Sequence, residues 1–548
     1  MPKIKKRIHS KVYKKIKESL NDTDVARLSE SSKLVCEFPS PATPLEINNK
    51  SICVLPSFNS NVTDAIEIGS SSINSTLNNT NEDNQEDHPS NLKNDLAVWA
   101  IADNVPQSTI TNLLKVLKKY PCGSDLPLDA RALLQTPRCV RVENMSNGVY
   151  HHFGIEEGIK FILSKINSKN LLDPDLKLLV NVDGLPLAKS SGSQLWPILG
   201  SLSYNLNAPC VFPIGIFHSN QKPENPNLFL NKFVEEMNKL IKNGIVDNGK
   251  HYKIDLKGMI CNAPARAFIL CIKGHSGYSS CNKCFQEGLY FKKRVCFPEV
   301  DFVERTDSDF RNRLAGDSHH KCDSELLKID KFGPVSQVPF EYMHLVCLGV
   351  MKKLIKLWLK CDIKYRLSNS QSDAISVKLL SFTSSISNDF VRRPRALRDF
   401  ERWKATEYRQ FLLFTGPIVL KGSLRNDLYM HFLLLHCSIK VFITNSNIAM
   451  MNFAHSWLLC FVKGFPFLYG KEHMSHNIHC LLHLSKDVKN FGPLDQFSSF
   501  QFENYMKEFK NMIRKAEKPL QQVIKRFEEK KICFVNNQVT KELSNYLT

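Results

Sequence analysis

Apolar positions over residues 92–119 recur at helical spacing. The stretch "NLKNDLAVWAIADNVPQSTITNLLKVLKKY" predicts two helices joined by a turn at Asn104-Val105-Pro106. Leu96, Trp99 and Ala100 line the first. Ile110, Leu113, Leu114 and Leu117 line the second at i, i+3, i+4, i+7, with Lys115, Lys118 and Lys119 on the other side. From about residue 150 the pattern changes to short apolar runs. "LKLLVNVDGLPL", "QLWPILGSLS" and "CVFPIGIFHS" read as three strands, "NPNLFLNKFVEEMNKLIKNGI" as an amphipathic helix with an Asn225-Pro226 start and a Gly244 stop, and "HYKIDLKGMICN" as a fourth strand. Residues 265–272 begin another helix. Beyond 300 the periodicity predicts helices over 340–360, 406–443, 447–465, 476–489 and 497–529. Residues 21–91 are rich in Ser, Asn, Thr, Asp and Pro with little periodicity, which predicts disorder.

Length and charge narrow the classes. A chain of 548 residues, 43% hydrophobic, exceeds one compact core and predicts two or three folded units. A net charge of +19 favours a polyanionic partner, nucleic acid first, against the plainer alternative of a basic protein that binds none. The start "MPKIKKRIHSKVYKKIK" lacks an apolar core and is no secretory signal; it reads as a nuclear-localisation or phosphate-contacting arm, or as a solvated tail. The 17 cysteines follow no framework spacing, which predicts reduced thiols. His436, Lys440 and Lys463 interrupt the most apolar stretches, so no membrane span is expected. The helix pair at 92–119 resembles a helix-turn-helix, whose second helix could enter a major groove; a plain helical hairpin has the same pattern.

Three meander strands, a helix and a fourth strand are the element order of an RNase H-like core. That layout carries one acid on the first strand, one at the end of the fourth and one on a late helix, because two-metal phosphoryl transfer needs hard anionic oxygens that bridge two ions about 3.5–4 Å apart. Asp183 falls at the first position, Asn262 at the second and Glu503 at the third. Taken singly, Asp183-Gly184 is an ordinary turn and Glu503 an ordinary first-turn helix acid. A second constellation has metal-ligand character: Cys281-x-x-Cys284 with His479 and His483 at i, i+4, and His476 one turn earlier. Two thiolates with two imidazoles make a closed structural zinc site. A local set of Cys281, Cys284, His320 and Cys322 is the rival, and histidines in core polar contacts without metal are the third reading.

Several stretches resemble the eukaryotic transposase-domain proteins related to CACTA (EnSpm) DDE transposases. They are "VNVDGLPLAKSSGSQLWPIL", "ICNAPARAFILCIKGHSGYSSCNKC", "VPFEYMHLVCLGVMKKLIKLWL", "WKATEYRQFLLFTGPIVLK" and "HNIHCLLHLSKDVKNFGPLDQFSSFQFENYMKEFKNMIR", and the resemblance covers roughly residues 92–530. It implies an RNase H-like nuclease core interrupted by a helical insertion. It also implies catalytic acids at Asp183, position 262 and Glu503, Mg²⁺ as the catalytic ion, and structural zinc on Cys281, Cys284, His479 and His483. The chain departs from the family twice. The family's usual Asp is Asn262 here, and its Asp-Tyr-Met-His is Glu341-Tyr342-Met343-His344. An amide oxygen is neutral and cannot supply the charge of a bridging carboxylate.

The expected architecture is therefore α/β: a disordered tail over 1–91, a helix-turn-helix-like module over 92–150, an RNase H-like core beginning at 151–275, a helical insertion over 276–490 and a segment bearing Glu503 over 491–548. The expected function is that of a transposon-derived nuclear protein that binds DNA (transposon ends or genomic DNA) with its strand-cleavage chemistry impaired. Self-association is compatible with this, and no membrane is involved. One rival is an active transposase using Asp183, Glu341 and Glu503. Another is a non-catalytic nuclear interaction scaffold.

Overall fold

The computed structural model describes residues 92–165, 174–188, 190–203, 210–444 and 446–532. The basic arm and polar tail expected over 1–91 lie outside the described residues. In chain order the elements used below are α1 (Leu92–Ala102), α2 (Gln107–Leu117), β1 (Glu143–Met145), β2 (Gly148–His152), α3 (Ile155–Leu163), β3 (Asp175–Val182), β4 (Leu185–Pro186), β5 (Gln194–Leu202), β6 (Val211–Ser219), α4 (Pro226–Asn243), β7 (Ile245–Asp247), β8 (Lys250–Ile260), α5 (Ala263–Ile269), β9 (Leu289–Phe291), β10 (Arg294–Cys296), α6 (Lys352–Lys360), α7 (Asn426–Ile443), α8 (Ile448–Tyr469), α9 (His476–Cys480), α10 (Leu484–Phe491) and α11 (Phe500–Met512). The fold is mixed α/β with many helices. Its described residues divide into two compact units, one of 92–255 with 501–532 and one of 256–500. The divisions fall inside β8 and inside α11, whereas the sequence pattern put them near 275 and 490.

The first unit is built on a sheet of strand order β1-β2-β6-β5-β3-β8-β7, with β4 paired to β5. β3, β5 and β6 form the antiparallel meander read from the sequence, and β2 adds antiparallel to β6. β3 is buried continuously from Leu178 to Val182, the signature of a strand covered on both faces. α4 presents Phe229, Phe233 and Met237 to this core, and Asn225 caps it through the N–H groups of Asn227 and Leu228. α3 approaches β6 through Gly158, where a Cβ would meet the Phe212 ring at 2.0 Å. Its first turn is capped from a distance. Glu236 accepts the N–H groups of Ile155 and Glu156 and pairs with His152 at 2.8 Å.

α1 and α2 form the expected helix pair, with Ala97, Ala100, Ile110 and Leu114 buried against Leu126 and Leu133. Trp99 differs from expectation: it is 40% exposed, while Ala97 and Ala100 are the buried residues of α1. Asn104 takes φ +51° in the turn, and Arg514 donates to the carbonyls of Asn104 and Val105.

The second unit is mainly helical. The helix expected over 406–443 is broken. A π-helical turn spans Phe411–Thr415, Pro417 follows within the next short helix, and the chain reverses through Gly422 at φ +74° before α7 starts. The helix expected over 497–529 breaks between α11 and a helix over 519–532, where Lys518 takes φ +48° ahead of Pro519. α8 runs the other way from expectation. It continues past Lys463 to Tyr469, and among the described residues it is long and apolar enough, by length and composition, to cross a membrane. It packs along α7, where His431 donates to the Phe461 carbonyl at 2.8 Å and stacks on its ring at 4.2 Å. Trp358 of α6 donates to the Tyr469 hydroxyl at 3.1 Å.

Candidate metal centre and carboxylate pair

Cys281 and Cys284 lie in the loop after α5. His479 lies near the end of α9, and His483 in the 3₁₀ turn that joins α9 to α10. All four side chains are buried, and their donor atoms lie within 4.8 Å of one another. The measured edges are Cys281 Sγ–His483 Nε2 3.6 Å, Cys284 Sγ–His479 Nε2 3.3 Å and His479 Nε2–His483 Nε2 3.4 Å. A tetrahedral ion with sulfur at about 2.3 Å and nitrogen at about 2.0 Å requires S···N edges of about 3.5 Å and N···N edges of about 3.3 Å. The cluster therefore has the size and donor chemistry to hold a metal ion such as zinc. All four donors are buried, as in structural rather than catalytic sites.

The surroundings favour one ionised thiol in the set. Burial opposes ionisation of Cys281, but hydrogen bonds from Cys284 and Cys480 and the nearby His483 and His479 bring its thiol well below the usual range. Its hydrogen bond to Cys281 pushes the Cys284 thiol up, and burial adds to this. Such a pair parts with its second proton only when a cation takes its place. Phe297 stacks on His479 at 5.4 Å, and Phe302 lies 4.7 Å from His483, so the cluster is walled by aromatic rings. Nδ1 of His479 has no hydrogen-bond partner among the described residues.

His476 stays outside the set. Its ring contacts Cys480 Sγ at 3.4 Å, and burial, with Arg266 next, holds its imidazole down to about 3. The local rival set is not assembled: Cys322 is exposed, and the His320 ring packs at 4.7 Å from Phe310.

A supporting ion pair escaped the sequence reading. Lys283 sits between the two cysteines, and its Nζ meets Asp487 Oδ1 at 2.6 Å with both side chains buried. Lys283 also donates to the Val335 carbonyl, and Asp487 accepts the Phe340 N–H at 2.9 Å. The signal was available. Asp487 continues the His479, His483 spacing by four residues, and a lysine between two buried ligands needs an acid.

The acidic residues are arranged differently. Asp183 follows the last residue of β3 and accepts its own Gly184 N–H at 2.7 Å. Glu503 stands in the first turn of α11. Both belong to the sheet unit, both are half-buried, and a carboxylate oxygen of each lies within 4.8 Å of the other. Two carboxylates this close repel each other unless a cation or a proton lies between them.

The other two candidates belong to the second unit. Asn262 follows β8 and is the N-cap of α5, its side-chain oxygen accepting the Ala265 N–H at 2.8 Å. Glu341 is buried, and its carboxylate accepts from the N–H groups of Met343, His344 and Ser499 at 2.9, 2.5 and 3.1 Å and from His344 Nδ1 at 2.5 Å. Burial works against its charge, but His344 and these N–H groups hold its carboxyl pKa below the ordinary glutamate range. Both carboxylate oxygens are thus occupied in tying a π-helix start to residue 499. No protein-family model matches the chain, and no curated protein matches it either.

Proposed function

We propose that the chain is a transposon-derived nuclear DNA-binding protein with an RNase H-like nuclease core whose strand-cleavage chemistry is impaired. The observation that carries this reading is the approach of Asp183 and Glu503 to within 4.8 Å, from the end of a central strand and the first turn of a late helix. The strand order β6-β5-β3-β8, with α4 between β6 and β8, supports the same core. The α1–α2 pair, with Lys115, Lys118 and Lys119 exposed, supports a helix-turn-helix contact to DNA, and the +19 charge supports a polyanionic partner.

In this reading Asp183 and Glu503 would hold Mg²⁺, which when bound stabilises the attacking and leaving oxygens of phosphoryl transfer. By the resemblance Asn262 matches the family's second acid, and here it is a neutral cap of α5. Glu341 is a poor replacement, because its oxygens are already committed to the N–H groups of Met343, His344 and Ser499 and to the His344 ring. The test is nicking of supercoiled DNA with Mn²⁺ or Mg²⁺. The wild-type chain is expected to be inactive or nearly so, and Asn262→Asp to gain metal-dependent cleavage that Asp183→Ala removes. Robust wild-type cleavage would overturn the impairment, and an inert Asn262→Asp chain would move the defect away from position 262.

A further inference from the structure

The two-stranded ribbon β9–β10 has three consecutive exposed apolar residues, Leu289, Tyr290 and Phe291, at 55%, 64% and 45% exposure. Such a run is unfavourable on a surface unless something uses it. The register Phe291–Arg294, Val295–Tyr290 leaves a two-residue turn of Lys292 and Lys293 at φ +46° and +65°. Turns of this kind are normally made by Asn and Gly, since a long side chain is strained there. The strain places basic side chains at the tip of the ribbon. Tyr290 and Phe291 point to opposite faces, as adjacent strand residues do.

The base of the ribbon is held firmly. Gly288 lets Val295 and Phe297 close on it, with a Cβ at that point meeting Val295 at 2.5 Å. The Phe297 N–H donates to the Met474 carbonyl at 2.7 Å, and its ring stacks on the metal-cluster residue His479. Lys292 pairs with Glu472 at 2.5 Å, which leaves Lys293 and Arg294 exposed at the tip. A rigid base, exposed aromatic rings and uncommitted cations are the components of a stacking platform for nucleic acid.

We propose that the ribbon Leu289–Cys296 is a nucleic-acid finger. It stacks Tyr290 and Phe291 on bases that have left the duplex, and it sets Lys293 and Arg294 against the flanking phosphates. Charge complementarity selects this occupant: the chain carries +19, and the acid beside the turn, Glu472, is already paired. The inference rests on the DNA-binding reading and adds to it a preference for unpaired strands.

The test uses the full chain with its metal retained and fluorescein-labelled DNA, either blunt duplex or the same duplex with a single-stranded tail carrying 2-aminopurine. The wild type is expected to bind the tailed duplex more tightly and to quench the 2-aminopurine. The double variant Tyr290→Ala/Phe291→Ala is expected to lose roughly tenfold or more on the tailed duplex. It should keep its blunt-duplex affinity, its zinc content and its thermal midpoint. Lys293→Gln/Arg294→Gln is expected to lower the salt dependence of tailed-duplex binding. Equal wild-type affinity for the two DNAs overturns the finger and leaves the DNA-binding reading standing; no binding to either overturns both. The finger is also overturned if Tyr290→Ala/Phe291→Ala keeps the preference. It is overturned too if that variant loses only binding to phosphatidylserine vesicles.

Discussion

The Cys/His cluster and the Asp183–Glu503 pair are both places where ligand atoms converge from distant parts of the chain, yet they are finished to different degrees. The cluster brings together donors 195 and 202 residues apart, buries all of them and has edges of tetrahedral length. The acid pair is half-buried and offers two carboxylates. A closed set of four holds its ion for structural reasons, while an open pair binds one weakly and exchanges it. The difference teaches that convergence alone does not close a ligand set; the number of donors and their burial decide it.

The strongest way to break this comparison is to open the closed site. Cys281→Ser or His483→Ala should abolish stoichiometric zinc binding, and with it much of the folding of the 256–500 unit, since structural zinc contributes on the order of 10 kcal/mol. Zinc analysis and chelator-dependent unfolding check this. Asp183→Ala should leave the zinc content unchanged. Next in size is the buried ion pair. Lys283→Met strands the Asp487 charge and should cost about 3–5 kcal/mol in denaturant unfolding, while Lys283→Met/Asp487→Leu should recover most of the loss.

The α7–α8 pair sharpens the comparison through pH. Burial lowers the His431 imidazole from 6.5 to about 4. Above 6.5 the ring is neutral folded or unfolded. Below it only the unfolded chain takes up the proton, so stability is lost as pH falls from 6.5 towards 4 and then levels off. The loss is about 3 kcal/mol. His431→Gln should flatten that part of the pH profile of the thermal midpoint. The smallest effect is at the cap: Asn262→Ala should cost about 1 kcal/mol, while Asn262→Asp should keep full stability, because Asp caps as well as Asn.

Much of this was legible in the sequence where the signal was local. Short apolar runs marked the meander, and period-3.6 runs marked α4 and the α1–α2 pair. The spacing of Cys281, Cys284, His479 and His483 offered the cluster that the fold assembles, beside a local set and a metal-free reading. What escaped depended on partners far along the chain. Trp99 read as a lining residue of α1 by its spacing, but Ala97 and Ala100 are the buried positions. The long helical runs over 406–443 and 497–529 hid their breaks, since Gly422 and Lys518 reveal a left-handed turn only once neighbouring packing demands one. The Lys283–Asp487 pair, 204 residues apart, left only the four-residue spacing of Asp487 after His483 as a local sign.

The central claim is that the Cys/His cluster is a closed metal set and that the proposed cleavage chemistry is impaired by the amide at position 262. Electron paramagnetic resonance titration of Mn²⁺ into the zinc-loaded chain tests it most directly, comparing wild type, Asn262→Asp and Asn262→Asp/Asp183→Ala. The account predicts weak wild-type binding, tightening of at least tenfold in Asn262→Asp, equivalent to about 1.4 kcal/mol, and loss of that gain when Asp183 is removed. Mn²⁺ binding that is equally weak in wild type and Asn262→Asp would contradict it.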